Sequence, residues 1–126
     1  MATLAVLHSR LVGTILLFFG VLVIWGFVGY LRGQSISGSY KGALAIGELL
    51  MLSEFLIGVL LLLGGAQPYR LGIHILYGIV AIIGLPAAFA YTRGRDDRWE
   101  LLIYVTVCLF LCGIALRGLT TGRLPT

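Results

Sequence analysis

Charge is the scarcest property of this 126-residue chain. Charged side chains make up 11% of it, against roughly a quarter in soluble domains, while hydrophobic residues make up 60%. A water-soluble domain of this size has too little interior to hide that much apolar surface. Cysteine is nearly absent, with Cys108 and Cys112 the only two. Four residues apart on one helix, they have the wrong arrangement for a disulfide framework or a C-x-x-C redox pair, and they read as small buried apolar residues. The sequence also lacks a catalytic triad, a phosphate loop and any soluble metal-ligand spacing. Two histidines without a supporting cysteine or carboxylate cluster argue against a structural zinc. Enzymatic turnover is not expected from such a chain. The net charge of +4 comes from basic residues dispersed over loops and helix ends. They form no stripe or run, so lipid head groups, and not nucleic acid, are the expected counter-ions.

What the chain does have is four long apolar runs, at about 11–31, 42–63, 71–91 and 99–116, separated by short polar joints. Each approaches the ~20 residues that cross a bilayer core as helix. The expected fold is therefore an all-α integral membrane protein, one domain over 1–126, with spans at about 8–32, 42–63, 70–91 and 99–117. Short joints make consecutive helices antiparallel neighbours and predict an up-down-up-down bundle. The start, MATLAVLHSR, has no basic region before its apolar residues, so the first span is expected to stay in the mature protein.

The joints carry turn and cap chemistry. RGQSISGSYKG is rich in Gly and Ser; GGAQPYR places Pro68 where a first helical turn tolerates it; TRGRDDRWE offers Asp97 and Glu100 as a capping pair. Pro86, inside the third span, is expected to kink it. Glycines such as Gly13, Gly20, Gly26, Gly72, Gly78 and Gly84 suit close helix approach in a medium that gives no hydrophobic drive between helices. A four-residue echo, Y-x-R-G at Tyr30 to Gly33 and at Tyr91 to Gly94, reads either as a trace of two tandem hairpins or as two independent interfacial anchors. The first and third joints hold Arg32, Lys41, Arg93, Arg95 and Arg98; the other side holds Arg10, Arg70, Arg117 and Arg123. With Arg10 and Arg117 inside helix ends, the positive-inside rule puts the first and third joints in the cytoplasm and both termini outside, in a bacterial inner membrane.

Two acids interrupt the second span, Glu48 and Glu54. Six residues apart, they point about 120° from one another. Glu48 reads as a near-interface structural acid within reach of Lys41. Glu54 lies about 18 Å from the side of the first joint, past the midplane, on a line with Gly47, Met51 and Gly58 that suits an interior seam. On the same scale Arg117 comes at roughly 25 Å, Tyr77 at roughly 24 Å and His74 at roughly 28 Å. A charge in hydrocarbon costs about 3 kcal/mol or more, so such groups face inward, pair and mark function; a protonated Glu54 bonded to a backbone carbonyl is the plain alternative.

Both histidines occur near one membrane side on parallel helices. Two imidazoles from facing helices are what a six-coordinate b-type haem needs. In that reading His8 and His74 hold the haem iron, and Arg10 and Arg70 meet the propionates. His8 precedes Arg32 by 24 residues and His74 precedes Arg93 by 19, a mismatch that a tilt of the first helix can close. The same pair also suits a quinone or other lipophilic ligand, or simple interfacial anchoring.

Small multidrug exporters share the size, the four spans and a weak charge bias, but carry their membrane carboxylate in the first helix, where this chain has none. Small fluoride channels share the size, but their asparagine signature is missing from a chain with no asparagine. Three functions remain. The first is a subunit of an energy-transducing membrane complex, holding a haem b or quinone near one membrane face, with Glu54, Tyr77 and Arg117 hydrogen-bonded around it. The second is a small proton-coupled transporter or channel in which Glu54 exchanges protons beside Arg117. The third is a purely structural membrane subunit. The expected partners are the lipid bilayer and either other membrane subunits or further copies of the chain.

Overall fold

In the first helix the sequence steps inward by four and three residues in turn, through His8, Val12, Ile15, Phe19, Leu22, Gly26 and Gly29, all buried or half-buried. The same steps recur in the second (Tyr40, Leu44, Gly47, Met51, Glu54, Gly58, Leu61), in the third (His74, Gly78, Ala81, Leu85, Ala88, Thr92) and in the fourth (Leu101, Tyr104, Cys108, Leu111, Ala115, Gly118). This is the 3.5-residue period that keeps one seam of each helix facing its neighbours in a bundle. The computed structural model describes residues 2–65 and 71–122 and comprises α1 (Ala2–Leu31), α2 (Gly38–Leu63), α3 (Leu71–Thr92) and α4 (Arg98–Gly122), with no strand among the described residues. All four helices are long and apolar enough to cross a membrane.

The helices form a ring. Helix α1 packs against α2 and α4, and α3 packs against the same two, while neither diagonal pair brings its described backbone close. Small residues set the approach. A Cβ on Gly47 would lie 2.8 Å from Phe19 Cζ, and one on Gly84 would lie 3.0 Å from Leu111 Cδ2, so glycine on one helix receives a large side chain from the next.

Polar contacts tie one end of the bundle. Ser37 caps α2, its Oγ accepting from the Tyr40 N–H at 3.1 Å. The helix therefore starts at Gly38, upstream of its apolar run. Tyr40 in turn donates its hydroxyl to the Leu22 carbonyl of α1 at 2.9 Å and meets Trp25 edge to face. The Ile36 N–H donates to the Asp96 carbonyl at 2.8 Å, linking the first and third joints. Arg98 donates from Nε to the Tyr30 carbonyl at 2.7 Å and lays its guanidinium over the Tyr30 ring at 4.0 Å, which fastens α4 to α1. Lys41 pairs with Asp96 at 2.5 Å, but both side chains are nearly half exposed, so the pair adds little stability. Glu100, in the first turn of α4 where the helix dipole favours an acid, turns toward Arg95 at 3.6 Å.

The two Y-x-R-G segments end their helices differently. After α1, Gly33 takes the left-handed position at φ 74°, with bonds from Gly33 N to Tyr30 O and from Gln34 N to Gly29 O. After α3 the same bond pattern runs from Arg93 N to Ala90 O and from Gly94 N to Phe89 O; Gly94 at φ 73° is again left-handed, but so is the residue before it, Arg93 at φ 53°. A side chain there strains the backbone by about 1 kcal/mol. Arg93→Gly is expected to raise stability by about that amount in a denaturant melt of the detergent-solubilised protein, and Arg93→Val to lower it. Pro86 sits within α3, which continues through it.

Candidate functional site

At the other end of the bundle the inner seam turns polar. His8, early in α1, is brought to Glu54 of α2 with Nδ1 3.1 Å from Oε1. His74, early in α3, faces His8 across the ring of helices, their ring centroids 6.2 Å apart at 65°. The two histidines differ by five residues in their distance from the far end of the bundle, yet their rings meet. One ring nitrogen of His74 hydrogen-bonds the Gly118 backbone of α4. Tyr77, one turn further along α3, lines the same space. Three groups that the sequence sets on separate helices thus face one chamber.

That chamber is a cavity of about 340 Å³. His8, Glu54, His74 and Tyr77 share its wall with an apolar set that includes Val12, Met51, Phe55, Ile75 and Ile114. Its volume falls in the lower part of the ~300–1,000 Å³ range of small-molecule pockets, and its make-up, apolar with a few convergent polar groups, is theirs too. The carboxylate side is shielded. Only 13% of the Glu54 side chain and 24% of His8 are exposed. Although Nδ1 and Oε1 are within ion-pair distance, neither His8 Nδ1 nor either Glu54 oxygen has a directed hydrogen bond among the described residues. The contact is close but poorly aimed, and the pair is left with unused hydrogen-bonding capacity.

Glycine makes room for the imidazole. A Cβ on Gly58 would lie 3.1 Å from His8 Cε1, with both ring nitrogens at 3.8 Å, so the ring rests on the bare backbone of α2 one turn past Glu54. Gly58→Ala is expected to push the ring by a few tenths of an ångström. Stability should stay within about 1 kcal/mol, while affinity for any ligand of the chamber falls, as equilibrium binding to the purified variant will show.

The remaining expected residues lie elsewhere. Arg10 is exposed on α1 and absent from the cavity wall, Arg70 lies outside the described residues, and Arg117 is exposed while its neighbour Gly118 lines the chamber. Glu48 is not paired with Lys41, the partner that the sequence puts within its reach. Because α2 begins at Gly38, Glu48 sits about 4 Å from the middle of that helix and Glu54 about 5 Å on the other side. Lys41 is engaged with Asp96, and Glu48 Oε1 is shielded with no hydrogen-bond partner among the described residues. Phe55 escaped the sequence reading. It follows Glu54 in an unbroken apolar run, and only the approach of Gly78 to its ring, at 3.3 Å from where a Cβ would stand, shows that it faces α3.

A fixed imidazole pair beside a carboxylate in an apolar chamber can clasp a flat ring and exchange a proton with it. Among the described residues no group of three or more His, Cys, Asp or Glu side chains is arranged to hold a metal ion. No protein-family model, curated protein or solved structure matches this chain.

Proposed function

We propose that the chain is a multi-pass integral membrane protein, an up-down-up-down bundle with both termini outside a bacterial inner membrane. Its chamber holds a flat lipophilic redox ring as part of an energy-transducing membrane complex. The observation that carries this reading is the convergence of His8, Glu54 and His74 on one apolar cavity near the end of the helices. Ionisable groups within membrane spans are expensive, and grouping them around a shared space gives that expense a use.

Two redox groups suit the donors. A b-type haem takes two imidazoles, each steadied through its other ring nitrogen by a carboxylate or a backbone group. His8 beside Glu54 and His74 on the Gly118 backbone fit that pattern. The cavity volume of about 340 Å³ suits the head group of a quinone better than a whole porphyrin, which would have to part the helices further. Quinone is therefore the first choice and haem b the second. In either case His8 and His74 flank the ring, Glu54 holds or moves a proton at its carboxylate, and Tyr77 supplies a hydroxyl.

Purified protein and its organic extract test this directly. A quinone chromophore in the extract, or a Soret band in the protein, that is lost in His8→Ala and in His74→Ala is the expected result. Colourless protein with a quinone-free extract, which gains neither group on reconstitution, would count against the proposal. The shielded Glu54 beside a titratable imidazole also favours a second reading, proton-coupled transport. There, Glu54→Gln would abolish a pH-driven flux in vesicles while leaving the spectrum blank.

A further inference from the structure

The chamber's unused hydrogen-bonding capacity is lopsided, and this constrains the ligand. Nitrogen and oxygen 3.1 Å apart require a proton on one of them, or two lone pairs would face each other. With that single proton kept in the contact, poorly aimed as it is, what the His8–Glu54 pair offers to anything else is acceptors: the second imidazole nitrogen and the remaining carboxylate lone pairs. With a further proton, it offers one donor and still at least one acceptor. In neither state is the pair acceptor-free. Both Glu54 oxygens are shielded, so a ligand hydroxyl meets them when the Glu54 side chain turns into the cavity that it lines.

Resting on the ring-binding reading, we propose that the site takes the donor-bearing form of its ligand, a lipophilic aromatic ring carrying hydroxyl groups, and so prefers a hydroquinone to the corresponding quinone. A quinone is an acceptor through both carbonyls. It can be met by the Tyr77 hydroxyl, but it leaves Glu54 unsatisfied in a low-dielectric pocket, and a buried polar group left without a partner is penalised. A hydroquinone donates to Glu54 and accepts from Tyr77 through the same two hydroxyls.

The test uses the full chain in lipid nanodiscs under anaerobic conditions, titrated calorimetrically with decyl-benzohydroquinone, with its quinone and with its dimethyl ether. The hydroquinone is expected to bind about tenfold or more tightly than either of the others, the usual range for a hydrogen bond to a charged group. Glu54→Gln, whose amide brings its own donor, should narrow or reverse the gap. The comparison of three probes on the native chain decides the matter even if that variant does not fold. Equal or tighter binding of the quinone would overturn the donor preference and leave the ring-binding reading standing. Binding of none of the three would overturn both.

Discussion

Gly26→Ala is expected to destabilise the protein by about 3 kcal/mol, the sum of an overpacked helix contact and a strained buried hydrogen bond. The new Cβ would lie 2.5 Å from Val105 Cγ2 and 2.6 Å from Tyr40 Oη. Both neighbours are themselves held: Val105 and Tyr40 are almost fully buried, and the Tyr40 hydroxyl is committed to the Leu22 carbonyl. Relief would have to come from separating α1 from α4 or from moving Tyr40 off α1. Gly13→Ala is the matched control. Nothing lies within 4 Å of its would-be Cβ, so the helix gains up to about 1 kcal/mol from the better propensity of alanine. Denaturant melts followed by circular dichroism in one detergent will separate the two. Equal effects at Gly26 and Gly13 would mean that α1 and α4 do not approach at this seam.

The second large effect concerns the polar pair. His8→Leu is expected to lower stability by about 2 kcal/mol. It strands Glu54 in the chamber, although partial exposure and the option of taking up a proton keep the loss below the 3–5 kcal/mol of a fully buried broken pair. Removing both partners, in His8→Leu/Glu54→Leu, is expected to recover most of that loss, because apolar replacement of a buried pair is often neutral. The double-mutant cycle therefore has a strongly non-additive term. Additive losses would show that the two side chains do not interact.

Much of the architecture is legible in the apolar runs, since each is long enough to form one of the four helices. The seam through Gly47, Met51, Glu54 and Gly58 is legible too, because small and flexible residues at helical spacing mark a close approach. The place of Glu48 along its helix is not. The apolar run begins near Gly42, but the hydroxyl of Ser37 starts the helix at Gly38, and four residues of helix move an acid about 6 Å. Tyr40 reads as a joint residue in the sequence, whereas its place on the line with Leu44 and Gly47 makes it the largest side chain wholly enclosed by the bundle. The facing of His8 and His74 follows from short joints, but the contact of His8 with Glu54 does not. It depends on how far α1 slides along α2, which no periodicity reports. The arginines defeat sequence reading for another reason. Their long side chains turn outward toward water or head groups as readily as inward, so Arg10 and Arg117 end up exposed. The Y-x-R-G echo keeps its left-handed glycine in both copies, Gly33 and Gly94, but only in the second is the arginine before it left-handed as well, which the shared letters do not announce.

The claim on which the rest depends is that the polar side chains of different helices meet inside the bundle, with the imidazole of His8 against the carboxylate of Glu54. Solid-state NMR of the labelled protein in lipid bilayers measures this through space. A cross-peak between the His8 ring nitrogens and the Glu54 carboxyl carbon, as the 3.1 Å contact requires, is the predicted result. A Glu54 carboxyl that instead correlates with lipid acyl chains and shows no contact to His8 would contradict it.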